Sequence, residues 1–353
     1  MKKKIIMTGG GSGGPVTPLL AITDFLNKEH SGEFDFLWIG TKNGPEEKMV
    51  SDAKINFKSI SSGKFRRYFS FKNFTDIFKI LWGFCESIKI LQQEKPALVM
   101  SAGGFVSVPV VYAAKIVGVP VLIHQQDVRP GLANRIMSLV ADKITVTFKK
   151  SLNDYPNKSV WTSNPVRKEI KNICEKDYSY FKLDKKLPVV LILGGGTGAL
   201  GINKLVKQSV AELGAFYQIF HQTGRGKDLK IKHLNYQGVE FLDSEEMAKI
   251  MFLADIIISR CGLGTLTELA YLKKASIIIP MPNSHQEDNA EFFKNGKAVK
   301  VLHQKNTSSK KFIGEIKNLL EDKEGKLKLQ NNIGKIIDKN AEEKITEEIL
   351  KLI

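Results

Sequence analysis

Short apolar runs alternate with stretches of helical periodicity along nearly the whole chain, the pattern expected of βαβ units in a parallel sheet. In the first half the runs are 4–8, 34–39, 97–101, 119–124 and 143–147. A polar connection from about 149 to 186 follows, and the series restarts with 188–193, 217–221, 239–242, 255–259, 275–280 and 298–301. Two sheets account for this better than one. Each series opens with a strand that empties into glycines, at 9–14 and at 194–198, followed by a helix. The chain is therefore predicted to be α/β, with two Rossmann-like, doubly wound parallel-sheet domains facing across a ligand cleft. Beyond Lys323, apolar residues recur at helical spacing (Ile333, Ile336, Ile337; Ile345, Ile349, Leu352), which predicts amphipathic helices packing back on the body.

A chain of 353 residues is about twice the usual domain length, in keeping with two cores. With 42% apolar and 25% charged residues it has the composition of an ordered globular protein rather than a disordered binder. Lys and Arg number 53 against 37 Asp and Glu, a net charge of +16. That excess implies an anionic partner, whether nucleic acid, acidic lipid or a phosphorylated substrate. Cys85, Cys174 and Cys261 include no CxxC pair, which fits a reducing compartment and offers neither a disulfide framework nor a zinc site. The basic start, MKKKIIM, has too short an apolar run for a signal peptide. The longest apolar stretch, 105–123, is interrupted by Pro109, Lys115, Gly118 and Pro120 and reads as a buried helix entering a buried strand, not a membrane span.

The glycine turns carry the chemistry. GGGSGGP fits GxGxxG through Gly9, Gly11 and Gly14, and GGGTGA fits GxGxxA through Gly194, Gly196 and Ala199. Such turns let backbone amides and a helix N-terminus approach an anion, and they also serve close helix-to-strand packing. A nicotinamide dinucleotide is disfavoured, because no acid ends the second strand of either half, and the lack of GxxxxGK[ST] disfavours P-loop ATP hydrolysis. A third turn, SRCGLGTLTE, follows the run 255–259 and starts a helix. Gly262 and Gly264 free this turn, Thr265 is expected to cap, and the helix dipole favours a diphosphate. Glu268, about one turn in, could accept from ribose hydroxyls; a glutamate in such a position is otherwise ordinarily solvated.

Together these stretches closely resemble the MurG family of GT-B glycosyltransferases. In order they are GGGSGGPVTP (9–18), SAGGFVSVPV (101–110), HQQDVRPGLAN (124–134), SNPVR (163–167), GGGTGA (194–199), HQTG (221–224), SRCGLGTLTELA (259–270) and HQEDNA (285–290). The resemblance implies transfer of N-acetylglucosamine from its UDP donor to undecaprenyl-pyrophosphoryl-N-acetylmuramoyl-pentapeptide (lipid I), giving lipid II for peptidoglycan. It implies an acceptor and membrane-side domain over 1–160, a UDP-sugar domain over 161–339, and a last helix, 340–353, returning to the first domain. The donor site it implies uses the backbone of Gly196, where the family carries a serine, and Arg167 at the diphosphate. It also implies Leu242 at the uracil, Leu263, Gly264, Thr265, Leu266 and Thr267 around the phosphates, Glu268 on the ribose, and Gln286 and Asn289 on the sugar. Ser12, Gly13, Gly14 and Asp127 would come from the first domain. No Asp-x-Asp motif is evident, so a mechanism with no metal and no cofactor is implied, with charge on the departing UDP met by a helix N-terminus and Arg167.

Two departures lie beside the reacting centre. The family's first glycine loop ends in a histidine considered an acceptor-side base, and this chain has Pro15; the family's HEQN reads His124, Gln125, Gln126, Asp127. Asp127 is accordingly the candidate relocated base, with His124 as the alternative. Other readings are a GT-B transferase with a different glycolipid acceptor, and a UDP-sugar-binding protein that has lost its base. Between Lys64 and Phe84, eight aromatic residues are interleaved with Lys64, Arg66, Arg67, Lys72 and Lys79. The 64–72 portion suits peripheral insertion at an anionic membrane surface, at the cytoplasmic face of the plasma membrane. Phe74, Phe78 and Ile77 or Leu81 are expected to form the core face of a helix. Nucleic acid is not expected, since no RNP, KH or helix-turn-helix pattern accompanies the charge.

Overall fold

The computed structural model describes residues 2–63, 72–195 and 198–353, with residues 72–75 and 77 as backbone only. The chain divides into two compact units, Met1–Arg167 with Asp338–Ile353, and Lys168–Ile337.

In the first unit, β1 (Lys3–Thr8), β2 (Phe34–Thr41), β3 (Asn56–Ile60), β4 (Leu98–Ser101), β5 (Val121–Gln125), β6 (Lys143–Val146) and β7 (Ser159–Trp161) form one parallel sheet in the order β3-β2-β1-β4-β5-β6-β7. The five strands predicted from the apolar runs of the first half are all present. The two that the runs did not announce, β3 and β7, are the two edges. In β3 only Ile60 is buried and β7 is half-buried throughout, so neither needs a continuous apolar run. Alternate strand residues feed two cores. Ile5, Met7, Leu98 and Met100 face α1 (Val16–Glu29) and α2 (Pro45–Asp52). Ile6, Leu37, Val99 and Ile123 face α3 (Lys72–Glu94), α4 (Ser107–Val117) and α5 (Leu132–Met137). The apolar stretch read as helix into strand is α4 and β5. Gly118 separates them at φ 79°, its amide bonding the carbonyls of Ala114 and Lys115, a left-handed cap that glycine adopts without steric cost.

The expectation for α3 needs correction. Phe78, Leu81 and Trp82 are 70, 57 and 66% exposed, and the helix instead seats Leu91 and Ser87 with half-buried Phe84 and Ile88. The side chains of Phe74 and Ile77, and the whole of 64–71, lie outside the described residues. Among the described residues no helix is long and apolar enough to cross a membrane.

The second unit contains α6 (Lys168–Asn172), β8 (Val189–Leu193), α7 (Leu200–Leu213), β9 (Gln218–Gln222), β10 (Tyr236–Val239), α8 (Ser244–Leu253), β11 (Ile256–Ser259), α9 (Leu263–Tyr271), β12 (Ser276–Ile278), α10 (His285–Asn295), β13 (Lys300–Val301), α11 (Ser309–Glu321) and α12 (Lys323–Ile333). Its six strands are parallel in the order β10-β9-β8-β11-β12-β13. Asp243 starts α8 with a capping box: its carboxylate accepts from the Glu245 and Glu246 amides, and Glu246 accepts from the Asp243 amide at 3.0 Å. The last helix, α13 (Ala341–Leu350), packs against α1 in the first unit through Ile345 and Ile349. Each sheet reverses strand order once, between β1 and β4 and between β8 and β11. The turns that leave these strands are where a doubly wound sheet opens a crevice.

Candidate functional site

In the first unit three turns leave adjacent strands. The β1 turn carries Gly11 at φ 81° and presents Ser12 and Gly14 to solvent, with Gly13 half-buried. Its carbonyl at Gly13 accepts from the amides of Val16 and Thr17, starting α1. Pro15 occupies the N-cap with helical φ −67° and no side-chain cap. A proline is tolerated there because the first amides of a helix lack intrahelical partners. The β4 turn has Gly103 and Gly104 at φ 107° and 95°. A Cβ on Gly104 would lie 2.7 Å from the Gly10 carbonyl oxygen, so the two turns touch backbone to backbone.

The end of β5 and the turn that leaves it carry His124 to Asp127. His124 is wholly buried, with Nδ1 2.9 Å from Thr145 Oγ1 and Nε2 2.9 Å from Asn164 Oδ1. Burial pushes its pKa down to about 4, the Asn164 hydrogen bond pulling partly back, so the imidazole is neutral at physiological pH. With both nitrogens engaged in the core, neither is open to a bound substrate. Buried Gln125 donates to the Asp127 carbonyl at 2.8 Å and accepts from Asn134 at 2.6 Å and Tyr155 at 3.2 Å. Gln126 donates to the Ala102 carbonyl at 3.3 Å, tying this turn to the β4 turn. Asp127 itself is half-buried. The N-cap of α5 is Gly131, four residues further on. Arg167, half-buried, is the last residue of the first unit before α6.

In the second unit the β8 turn has Gly195 and Gly198 at φ 79° and 72°; Gly196 lies outside the described residues. A Cβ on Gly198 would meet the Thr223 carbonyl oxygen at 2.2 Å, which packs this turn on the end of β9. The β11 turn runs straight into α9. Gly262 is the N-cap, no side chain caps it, and no acid stands in the first turn, so the positive helix end is not neutralised by a carboxylate on its own first turn. Thr265 therefore does not cap, as it sits inside the helix. Of 263–267, Gly264 and Thr265 keep partial exposure, whereas Leu263 and Leu266 are core. The Thr267 hydroxyl donates back to the Leu263 carbonyl at 2.8 Å. Glu268, in the second turn of α9, is buried, 6% exposed, rather than solvated. Leu242 is buried just past β10.

Gln286 and Asn289, expected on a sugar, brace this turn. Gln286 Oε1 accepts from the Cys261 amide at 3.2 Å and the Met281 amide at 3.0 Å, and fully buried Asn289 donates to the Cys261 carbonyl at 3.4 Å. Sequence reasoning missed Arg260, whose guanidinium donates to the carbonyls of Ile279 and Pro280 at 3.0 and 3.1 Å and to Gln304 at 2.7 Å. It was legible only as part of the SRCGLG motif. Among the described residues no group of three or more His, Cys, Asp or Glu is placed to hold a metal ion.

Comparison with known proteins adds three findings. Residues 5–146 match the glycosyltransferase family 28 N-terminal domain and residues 189–349 the family 28 C-terminal domain. A protein of Borrelia turicatae named UDP-N-acetylglucosamine–N-acetylmuramyl-(pentapeptide) pyrophosphoryl-undecaprenol N-acetylglucosamine transferase is 38% identical over 99% of this chain and 97% of its own length. A protein of the same name from Clostridium perfringens is 40% identical over 96% and 98%. The crystal structure of Acinetobacter baumannii MurG superposes with a TM-score of 0.75 at 26% identity, covering 99% of both chains.

Proposed function

Because this chain belongs to glycosyltransferase family 28, we propose that it transfers N-acetylglucosamine from UDP-N-acetylglucosamine to undecaprenyl-pyrophosphoryl-N-acetylmuramoyl-pentapeptide. Its two parallel-sheet units are the GT-B architecture. The observation that carries the reading is the near full-length identity to two enzymes that bear this name, over both units.

The donor binds mainly the second unit, Arg167 being the last residue of the first. The amides at the start of α9, with the backbone of Gly196 and the guanidinium of Arg167, take the diphosphate, and Glu268 accepts from the ribose hydroxyls. Leu242 lies against the uracil. Gln286 offers its amide nitrogen to the sugar, while Asn289 acts from beneath through Cys261. The acceptor binds the first unit at Ser12, Gly13, Gly14 and Asp127. The acceptor hydroxyl attacks the anomeric carbon with inversion: the new glycosidic bond forms as the bond to UDP breaks, and the hydroxyl proton passes to Asp127. Developing charge on UDP is met by the α9 terminus and Arg167, so the reading needs no metal. His124, closed off in the core, fixes the end of β5.

The protein works as a peripheral protein at the cytoplasmic face of the plasma membrane. Phe78, Leu81 and Trp82 on α3, Ile116 on α4 and Leu139 just past α5 are all exposed, on helices that cover one face of the first sheet. Such a face suits interfacial insertion beside anionic lipid. The donor assignment is tested by calorimetry in the presence of a chelator. UDP-N-acetylglucosamine should bind, and Glu268→Ala should weaken it by about 1.5–3 kcal/mol, roughly ten- to hundredfold. Unchanged affinity in the variant, or an absolute need for a divalent ion, removes the assignment.

A further inference from the structure

Among the buried acids that the mechanism above leaves unused, one lies against the β1 turn. Glu46, in the first turn of α2, has no exposed surface. Its Oε1 accepts from the Thr41 amide at 2.7 Å and from the Thr41 hydroxyl, and its Oε2 accepts from the Gly11 amide at 3.1 Å. Three glycines make room for it. An added Cβ would lie 2.2 Å from Glu46 Oε1 at Gly10, 2.3 Å from Oε2 at Gly44 and 3.0 Å from Cγ at Gly40. On the other side of the turn the Trp38 indole donates to the Gly9 carbonyl at 3.0 Å. Gly9 and Gly11 are thus gripped by side chains from β2 and α2, and Gly10 between them bears on the backbone of Gly104.

An acid at this place has a cost, because a buried carboxylate persists only where its lone pairs are met by donors. Here three donors meet it, one of them the amide of a glycine in the left-handed region. A glycine turn that cradles an anion aims its amides outward, whereas Gly11 spends its amide inward on Glu46. The conformation that presents Ser12, Gly13 and Gly14 is therefore set from beneath. We propose that Glu46 is a positioning residue for the acceptor half of the transferase, fixing the β1 turn, and through Gly10 the β4 turn, in the arrangement that receives the acceptor. This rests on reading the first unit as the acceptor half.

Glu46→Gln is the informative change. An amide has one acceptor oxygen: aimed at Thr41 it sets its NH2 against the Gly11 amide, and flipped it sets NH2 against the Thr41 amide. Either way a backbone donor of the turn or of β2 loses its partner. The expected result is a fall of about tenfold or more in kcat/KM for varied acceptor, with the calorimetric affinity for UDP unchanged. Thr41→Val, which removes one donor and keeps the Gly11 bond, should cost much less. Amide hydrogen exchange over 9–14, read by mass spectrometry, should quicken in Glu46→Gln, and this readout does not depend on turnover. If Glu46→Gln fails to fold, Gly10→Ala serves instead, since its Cβ would lie 2.2 Å from Oε1 and so displaces the carboxylate as a whole. A folded variant with wild-type exchange over 9–14 overturns the proposal, as do wild-type acceptor kinetics or an equal loss of UDP affinity. Absence of transfer by the wild type, with exchange responding as expected, would instead overturn the functional reading alone.

Discussion

His124 offers a perturbation whose size can be worked from the structure. Its folded pKa of about 4 lies some 2.5 units below the ordinary imidazole value of 6.5, because burial penalises the charged ring. At 1.36 kcal/mol per unit this is about 3 kcal/mol of coupling between folding and protonation. The unfolded chain binds the proton first, so stability is fully present above about pH 6.5 and is lost as pH falls towards 4. Below that no more is lost from this group. Trp38, Trp82 and Trp161 all lie in the first unit with His124, so tryptophan fluorescence during urea unfolding reports that unit. His221, also buried and also held down to about 4, lies in the second unit and serves as the control. Between pH 6.5 and 4 the tryptophan-detected stability should fall in the wild type about 3 kcal/mol further than in His124→Asn, and His221→Asn should leave that slope intact. Parallel slopes for wild type and His124→Asn would refute the buried, neutral assignment. So would a resonance assigned to the His124 imidazole that titrates near 6.5.

Asp127→Asn keeps shape and hydrogen bonding but removes basicity; kcat should drop about a hundred- to ten-thousandfold, so near-normal turnover defeats the base assignment. Replacing Phe78 and Trp82 with Glu removes two large apolar contacts worth about 1.5–3 kcal/mol each at a membrane surface. Sedimentation with anionic vesicles should fall by a hundredfold or more, and unaltered sedimentation would return α3 to the role of an ordinary surface helix.

How far the sequence could be read follows from what each signal encodes. Buried central strands need continuous apolar runs, so β1, β4, β5, β8 and β11 stand out, while the edge strands β3 and β7 do not. Glycine turns announce themselves because glycine adopts a positive φ without steric cost and leaves room for a backbone contact such as Gly104 on Gly10. The residues that hold those turns in place do not. Glu46 reaches Gly11 across 35 positions and Arg260 reaches Gln304 across 44, and no local periodicity links such pairs. Helical spacing showed that α3 is apolar without saying which of its aromatic residues a neighbour covers. Nor could the sequence tell that His124, on the same strand end as Asp127, is spent on Thr145 and Asn164.

The central claim is glycosyl transfer to a lipid-linked acceptor, and one assay addresses it directly. The protein is incubated with UDP-N-acetylglucosamine and undecaprenyl-pyrophosphoryl-N-acetylmuramoyl-pentapeptide in detergent, and both lipid and nucleotide are followed by mass spectrometry. The account predicts that the acceptor gains one N-acetylhexosamine for each UDP released, and that no UDP appears without acceptor. Consumption of the donor by hydrolysis or epimerisation, with the lipid unchanged, would contradict it.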